Sequence, residues 1–215
     1  MPEVPEPPAK KTQSSRWSMK KASVAVGVAA GLVTILAGVT AIVGAFSSSR
    51  VANAPTCNDP GSLKEVAVEG LVASSELAEP PIVHSASRLI DGNLNRAWVE
   101  GAEGYGVGEQ LDFTFDEPVD LKLICVVNGY AGTLAQYEKN ARVGQFEITT
   151  QTGTSTDSLG VKAPSEYANA QELEFQQGMT ATVRLVLTSA RPGTGANATE
   201  DTSISEVTFW ASTSD

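Results

Sequence analysis

Two hydrophobic patterns divide this chain. From Ala22 to Phe46 no charged residue occurs and apolar residues fall in every register. That is the pattern of a helix without a polar face. At 1.5 Å per residue, about 25 residues rise roughly 37 Å, and ~20 suffice to cross a bilayer's hydrocarbon core. From about Glu65 the pattern changes to short runs with period two: Leu111 to Phe115, Leu121 to Val127, Gln145 to Thr150, Glu172 to Phe175, Ala181 to Thr188 and Ser203 to Trp210. Clusters of Gly, Pro, Asn and Asp separate them, and no segment here sustains a long 3.6 period. The patterns predict one transmembrane helix followed by an all-β sandwich whose ends are closed by long loops.

Residues 1–21 are rich in Pro, Lys and Ser without apolar period, and read as a disordered tail. Trp17 stands where an interfacial anchor is expected. Residues 22–46 form the expected span and residues 47–63, with Ser-Ser-Ser, Asn-Ala-Pro and Asn-Asp-Pro-Gly, a turn-rich linker. Residues 64–215 remain for folding, enough for one domain with its own core. A cleaved signal peptide is the competing reading of the span, since Ala52-Asn53-Ala54 is an A-x-A pattern. The run is longer than a usual signal h-region, and Pro55 would follow the cut. Within the span, Gly27, Gly31, Thr34, Gly38, Ala41 and Ala45 share one helical face. Small faces let helix backbones approach in lipid, so a homodimer through the Gly27/Gly31/Gly38 face is expected, against the alternative that Gly and Ala are simply common in such spans.

Charge sets the orientation. Lys10, Lys11, Arg16, Lys20 and Lys21 against Glu3 and Glu6 give residues 1–21 a net +3, which leaves −13 for the rest of a chain whose total is −10. Basic residues beside a span mark its cytoplasmic side. The expected localisation is therefore a cell membrane, single-pass, with the N-terminus cytoplasmic and the C-terminal domain extracytoplasmic. An acidic outer domain argues against nucleic acid and anionic headgroups as ligands, because both repel it. Cys57 and Cys125 both fall on the outer side, where a disulfide is permitted. Closing nearly 70 residues would contribute ~4 kcal/mol by chain entropy. Cys125 as a small buried residue, with Cys57 an idle thiol, is the alternative.

Several local patterns occur in a recognisable order: Val72-Ala73-Ser74-Ser75; Leu89-Ile90-Asp91-Gly92-Asn93 with Ala97-Trp98; Gly104-Tyr105-Gly106-Val107-Gly108-Glu109; Asn128-Gly129-Tyr130; Tyr137 to Val143; and Ile204-Ser205-Glu206-Val207. The series resembles the discoidin (coagulation factor 5/8 C-type) superfamily, and within it the NADase-type glycan-binding domain, over about residues 66 to 212. The resemblance implies a galactose-binding-like jelly roll that binds carbohydrate through loops at one end. It gives no reason to expect NAD cleavage. Arg96 stands where the family usually has a small hydroxyl residue, and Gln110 where it commonly has a bulky one, so ligand specificity departs from the family pattern.

Trp98, Tyr105, Tyr130 and Tyr137 are candidate ligand residues, because aromatic rings stack on sugar C–H faces while placed polar groups bond hydroxyls. For Trp98 the core reading is favoured over ligand contact, since Ala97-Trp98 lies in a strand-like entry. Asn140 and Arg142 lie close by in sequence as hydrogen-bond donors, with a structural Arg paired to Glu109 or Glu138 as the alternative. Asp91, Asn93 and Glu206 supply hard oxygen ligands for calcium, the one cofactor considered, because similar turns in related jelly rolls hold that ion. The alternative is that Asp91 caps its turn and Glu206 accepts backbone hydrogen bonds.

Catalysis finds no motif. His84 lies beside Ser85 and Ser87 without a recognisable nucleophile arrangement. Gly104-x-Gly106-x-Gly108 precedes no helix and is not a phosphate cradle. Asn197-Ala198-Thr199 is a formal glycosylation sequon on a bacterial-type architecture. The expected function is a non-enzymatic, membrane-anchored module for glycan or cell-envelope polysaccharide. The alternative is a structural or signalling membrane protein whose jelly roll binds a protein.

Overall fold

The computed structural model describes residues 54–195 and 197–213. The expected tail, the span 22–46 and the linker up to residue 53 lie outside the described residues. Among the described residues no helix is long and apolar enough to cross a membrane.

Eleven strands and little helix make up the domain. They are β1 Lys64–Glu65, β2 Gly70–Ala73, β3 Ala78–Glu79, β4 Ile82–Val83, β5 Trp98–Val99, β6 Gln110–Asn128, β7 Ala141–Thr150, β8 Gly153–Ser158, β9 Gln171–Glu172, β10 Gly178–Arg191 and β11 Thr202–Ser212. A 3-10 turn, Ala86–Ile90, precedes β5, and one short helix, α1 Leu134–Lys139, joins β6 to β7. The runs expected at Leu111 to Phe115 and Leu121 to Val127 are two halves of the single strand β6. Between them, Asp116, Glu117 and Pro118 are exposed, and the polar interruption marks where the strand passes from one layer into the other.

The first half of β6 pairs with β2 on one side and β10 on the other; β10 continues to β7 and β7 to β8. The second half pairs with β11 and β9, and β11 pairs with β1 and β5. All of these pairs are antiparallel, and β7 and β11 also meet in a short parallel contact at one end. The result is a jelly-roll sandwich. Its core follows from the period-two alternation: Phe113, Phe115, Ile124, Val126, Phe146, Ile148, Val183, Leu185, Val207 and Phe209 are buried together. Phe209 meets Phe113 edge-on at 4.9 Å and Phe115 at 5.2 Å, the arrangement that aromatic quadrupoles favour. Each such side chain contributes about 1.5–3 kcal/mol through burial.

Trp98 belongs to this core. It is 1% exposed, and its Nε1 donates to the Ser75 carbonyl at 2.9 Å. Of its two sequence readings, packing holds and ligand contact does not, because the ring is sealed between the 3-10 turn and the sheet. On the outward face of the second layer, Cys125 bonds to Cys57 across a Cα–Cα distance of 5.7 Å. The segment that brings the chain into the domain is thereby fixed to the sheet, within a tight turn in which the backbone of Thr56 and Asp59 pair.

Candidate carbohydrate site

The loops between β6 and β7, between β2 and β5 and before β11 gather at one end of the sandwich. Their shape is set by buried polar contacts. The Asn128 side chain pairs with the Val143 backbone in both directions, Nδ2–H to the carbonyl at 2.8 Å and N–H to Oδ1 at 3.0 Å. Ser205 Oγ donates to the Gly129 carbonyl and accepts from Ala131 N–H. Gly129 has φ of 91°, and a Cβ there would lie 2.9 Å from both the Arg142 and Tyr137 side chains. Only glycine fits both constraints. Thr133 then starts α1: its Oγ1 accepts the Gln136 N–H at 3.2 Å and donates to Gln136 Oε1 at 3.0 Å. This Thr-x-x-Gln spacing is a capping-box signature.

Six residues of helix give α1 two distinct sides. Side chains advance by about 100° per residue, so Gln136, Lys139 and Asn140 fall on one side and Leu134, Tyr137 and Glu138 on the other. A cleft opens along each. The first, about 240 Å³, has an apolar wall of Leu77, Ile82 and Val99 facing Tyr130, with polar groups from Glu79, His84, Gln136, Lys139, Asn140 and Asp201. The second, about 180 Å³, is lined by Tyr137, Arg142 and Lys162 among others.

The first cleft is preorganised. His84 is buried, with its ring edge-on to Tyr130 at 6.0 Å. Arg88 Nη1 lies 3.1 Å from His84 Nδ1. Arginine only donates, so Nδ1 accepts and the proton sits on Nε2. Nε2 faces Glu79 Oε2 at 3.5 Å. Asn140 is fixed by Nδ2–H to the Gln136 carbonyl at 2.9 Å, while its Oδ1 accepts from Thr199 at 3.3 Å. Beside the cleft, burial raises the carboxyl pKa of Glu100 above the ordinary range; the Thr202 and Ala102 N–H groups oppose that shift, and the Asp201 and Glu109 charges add to it.

The expected site residues therefore separate. Tyr130 and Asn140 share the first cleft. Tyr137 and Arg142 are buried and line the second. Arg142 is not paired with Glu109 or Glu138; its guanidinium donates to the carbonyls of Tyr137 and Pro192 and stands 4.6 Å over the Tyr137 ring. Tyr105 is half-buried and borders neither cleft; its carbonyl accepts from Thr202 Oγ1 at 2.9 Å. Glu79, Gln136, Lys139 and Asp201 were not singled out from sequence, and His84 was weighed only as a catalyst. The capping box was the available signal for Gln136 and Lys139, since it marks a helix and therefore its faces.

Asp91, Asn93 and Glu206 meet at the turn after the 3-10 segment. Glu206 Oε2 accepts the Gly92 N–H at 3.0 Å. Asp91 Oδ1 accepts the Asn93 N–H at 2.8 Å, and Asn93 Oδ1 accepts the Asn95 N–H at 3.1 Å. Gly92, at φ 67°, makes the turn possible. Burial first, and then the Asp91 charge, push the Glu206 carboxyl up to about 7. Two facing acids, one of them buried, are a donor set that suits a hard cation. Among the described residues, however, no three His, Cys, Asp or Glu side chains converge as a metal cluster, and Asp91 and Asn93 each already use an oxygen to cap the turn. Calcium fits here only with backbone carbonyls completing the shell.

A larger hollow, about 360 Å³, lies over β6, β7 and β10. The bidentate Arg184–Asp112 pair crosses it, and Phe113 faces the core, so it offers no aromatic platform.

The chain is similar to several solved structures. The paired CBM32-1 and CBM32-2 domains of Clostridium perfringens ZmpB match with a TM-score of 0.50 at 10% identity, over 69% of this chain and 36% of that one. CBM32-3 from a family 31 glycoside hydrolase of Clostridium perfringens matches with a TM-score of 0.47 at 18% identity, over 70% of this chain and 91% of that one. A truncated AlyQ with CBM32 and alginate lyase domains matches at 0.48 and 16% identity, over 71% of this chain; this chain spans only 34% of it. No curated protein sequence matches. Residues 64–210, by contrast, match the family described as the NAD glycohydrolase translocation F5/8 type C domain, and this chain belongs to that family.

Proposed function

We propose that the chain is a single-pass membrane protein whose extracytoplasmic jelly roll binds glycan, without catalysis, in the cleft between Tyr130 and the Leu77–Ile82–Val99 wall. The observation that carries this reading is the composition of the cleft. One aromatic ring faces an apolar wall, and fixed donors and acceptors from His84, Asn140, Gln136 and Asp201 stand around it. This is the combination that binds a sugar's C–H face and its hydroxyls together. The Cys57–Cys125 bond favours an oxidising compartment, in agreement with the orientation read from the basic tail. The span 22–46 supplies the anchor, and a pair of chains joined through the Gly27/Gly31/Gly38 face would strengthen weak single-site binding through effective concentration.

The test is titration of the full chain against a panel of polysaccharides and muropeptides. Tyr130→Ala should weaken binding about tenfold, the loss of roughly 1.4 kcal/mol expected when one stacking ring is removed. No retention of any panel member at high micromolar concentration removes the reading.

A protein ligand is the second reading, and one observation favours it: Ile82 and Val83, which form strand β4 of the β3–β4 hairpin at the cleft's edge, are about half exposed. Val83→Asp, which leaves the Leu77–Ile82–Val99 wall of the cleft in place, should leave glycan retention unchanged and abolish crosslinking to a protein partner if that reading holds.

A further inference from the structure

The two clefts beside α1 differ in charge. The Tyr130 cleft carries Glu79 and Asp201 against Lys139. The opposite cleft carries Arg142 and Lys162 against Glu138, a net positive pocket in a chain of net charge −10. Arg142 is 3% exposed. Its partners are backbone carbonyls only, and among the described residues it forms no ion pair. Its Nε–H is buried without an acceptor. Carbonyl dipoles satisfy hydrogen bonds, but they leave the unit charge uncompensated. In a low-dielectric surrounding that charge acts on the neighbouring cleft with little screening. Lys162 adds a second cation and is likewise without an ion pair among the described residues. Leu134, Val161 and Pro164 supply apolar wall, and the Tyr137 ring, packed on Tyr167 at 5.5 Å, supplies an aromatic one.

We propose that this second cleft is a subsite for a carboxylate-bearing sugar, and that the glycan bound by the Tyr130 cleft is acidic, crossing α1 to place a uronate-type unit against Lys162 and Arg142. The inference rests on the glycan reading of the first cleft and adds to it the ligand's charge and a second point of attachment. The two clefts lie on opposite faces of a helix about 10–12 Å across, so one oligosaccharide reaches both. The acidic first cleft takes a neutral unit, and the cationic second cleft takes the carboxylate.

The experiment titrates the full chain with hyaluronate and unsulfated chondroitin oligomers, in which uronate units alternate with uncharged sugars, each beside its carboxyl-reduced counterpart, at low and high salt. At least one acidic oligomer should bind about tenfold more tightly than its reduced form, and the difference should shrink with salt. Lys162→Glu should erase that preference and leave the affinity for the reduced form unchanged. The only hydrogen bond of Lys162 to Tyr137 comes from its backbone N–H to Oη at 3.1 Å, so the variant keeps it. Equal binding of acidic and reduced oligomers overturns this inference and leaves the glycan reading standing. A preference that survives Lys162→Glu also overturns it. Binding of neither form, together with failure across the polysaccharide panel, removes the glycan reading and this inference with it. Binding of the reduced forms alone overturns only the anionic subsite.

Discussion

Arg142 and Glu206 are both buried charges in this domain, and the fold treats them in opposite ways. Arg142 is held by acceptors at both Nη atoms, through the Tyr137 and Pro192 carbonyls, and the Tyr137 ring lies beneath it, while its Nε–H is buried without an acceptor. The Glu206 carboxylate, in a residue 9% exposed, accepts one hydrogen bond among the described residues, from Gly92 N–H at 3.0 Å, and faces a second acid, Asp91. The guanidinium is held in place by backbone carbonyls and an aromatic face. The carboxylate is left soft, with its charge set by pH or by whatever cation approaches. Arg142 thus organises the α1 end of the sandwich permanently, whereas the Asp91–Glu206 turn responds to conditions.

Removing Arg142 should have the largest effect. Arg142→Leu leaves the Tyr137 and Pro192 carbonyls without their donor and should cost about 3–5 kcal/mol, the range for breaking a buried charged network. Arg142→Lys keeps the charge but not the planar fork, and should cost less, about 1–2 kcal/mol. Urea unfolding reads both. A neutral Arg142→Leu would mean that desolvating the guanidinium costs as much as its bonds return, and the contrast with Glu206 would vanish.

Glu206 should show its softness in a pH profile. Its folded pKa of about 7 lies above the ordinary 4.5, so the folded state holds the proton more tightly than the unfolded chain. Its contribution is fully present below pH 4.5 and is lost as pH rises through 7. The fall should be on the order of 3 kcal/mol. Glu206→Gln keeps an acceptor for Gly92 N–H and should flatten the melting temperature across that window. If the slope between pH 4.5 and 7 is the same in Glu206→Gln, another group carries it.

These contrasts explain what was legible in the sequence. The jelly roll was, because buried and exposed positions alternate along β6, β7, β10 and β11, and the ordered turn motifs carried the family resemblance. The union of Leu111–Phe115 and Leu121–Val127 into one strand was not, because Asp116-Glu117-Pro118 looks like a turn but only bends the chain between layers. At the site, Tyr130 and Asn140 were legible as cleft residues. Tyr137 and Arg142 were placed near them, but on the other face of α1, since a six-residue helix is too short to register as a 3.6 period. Glu79 and His84, on the β3–β4 hairpin, are remote in sequence from Asp201, and the hydrogen bond of His84 to β5 with the antiparallel pairing of β5 and β11 brings them together. A linear reading holds no signal for that convergence.

Calcium gives the smallest expected effect and sharpens the contrast most directly. Two carboxylates facing each other repel when both are ionised, and that repulsion is one reason Glu206 holds its proton. A divalent cation between Asp91 and Glu206 would replace the repulsion by attraction and bring the Glu206 pKa down. If the turn takes the ion, calcium at ten times its Kd should stabilise the full chain at pH 8 by about 1.4 kcal/mol through linkage. The same addition at pH 5 should do less, because protons compete for Glu206. Asp91→Asn should abolish the stabilisation while keeping an oxygen for the Asn93 N–H, so that loss of the cap is not mistaken for loss of the ion. Melting curves at the two pH values, with chelator and with calcium, decide the matter. Superimposable curves at pH 8 would retire the metal and leave Asp91 as a turn cap and Glu206 as a pH-sensitive acid, still the opposite of Arg142 but for the proton alone.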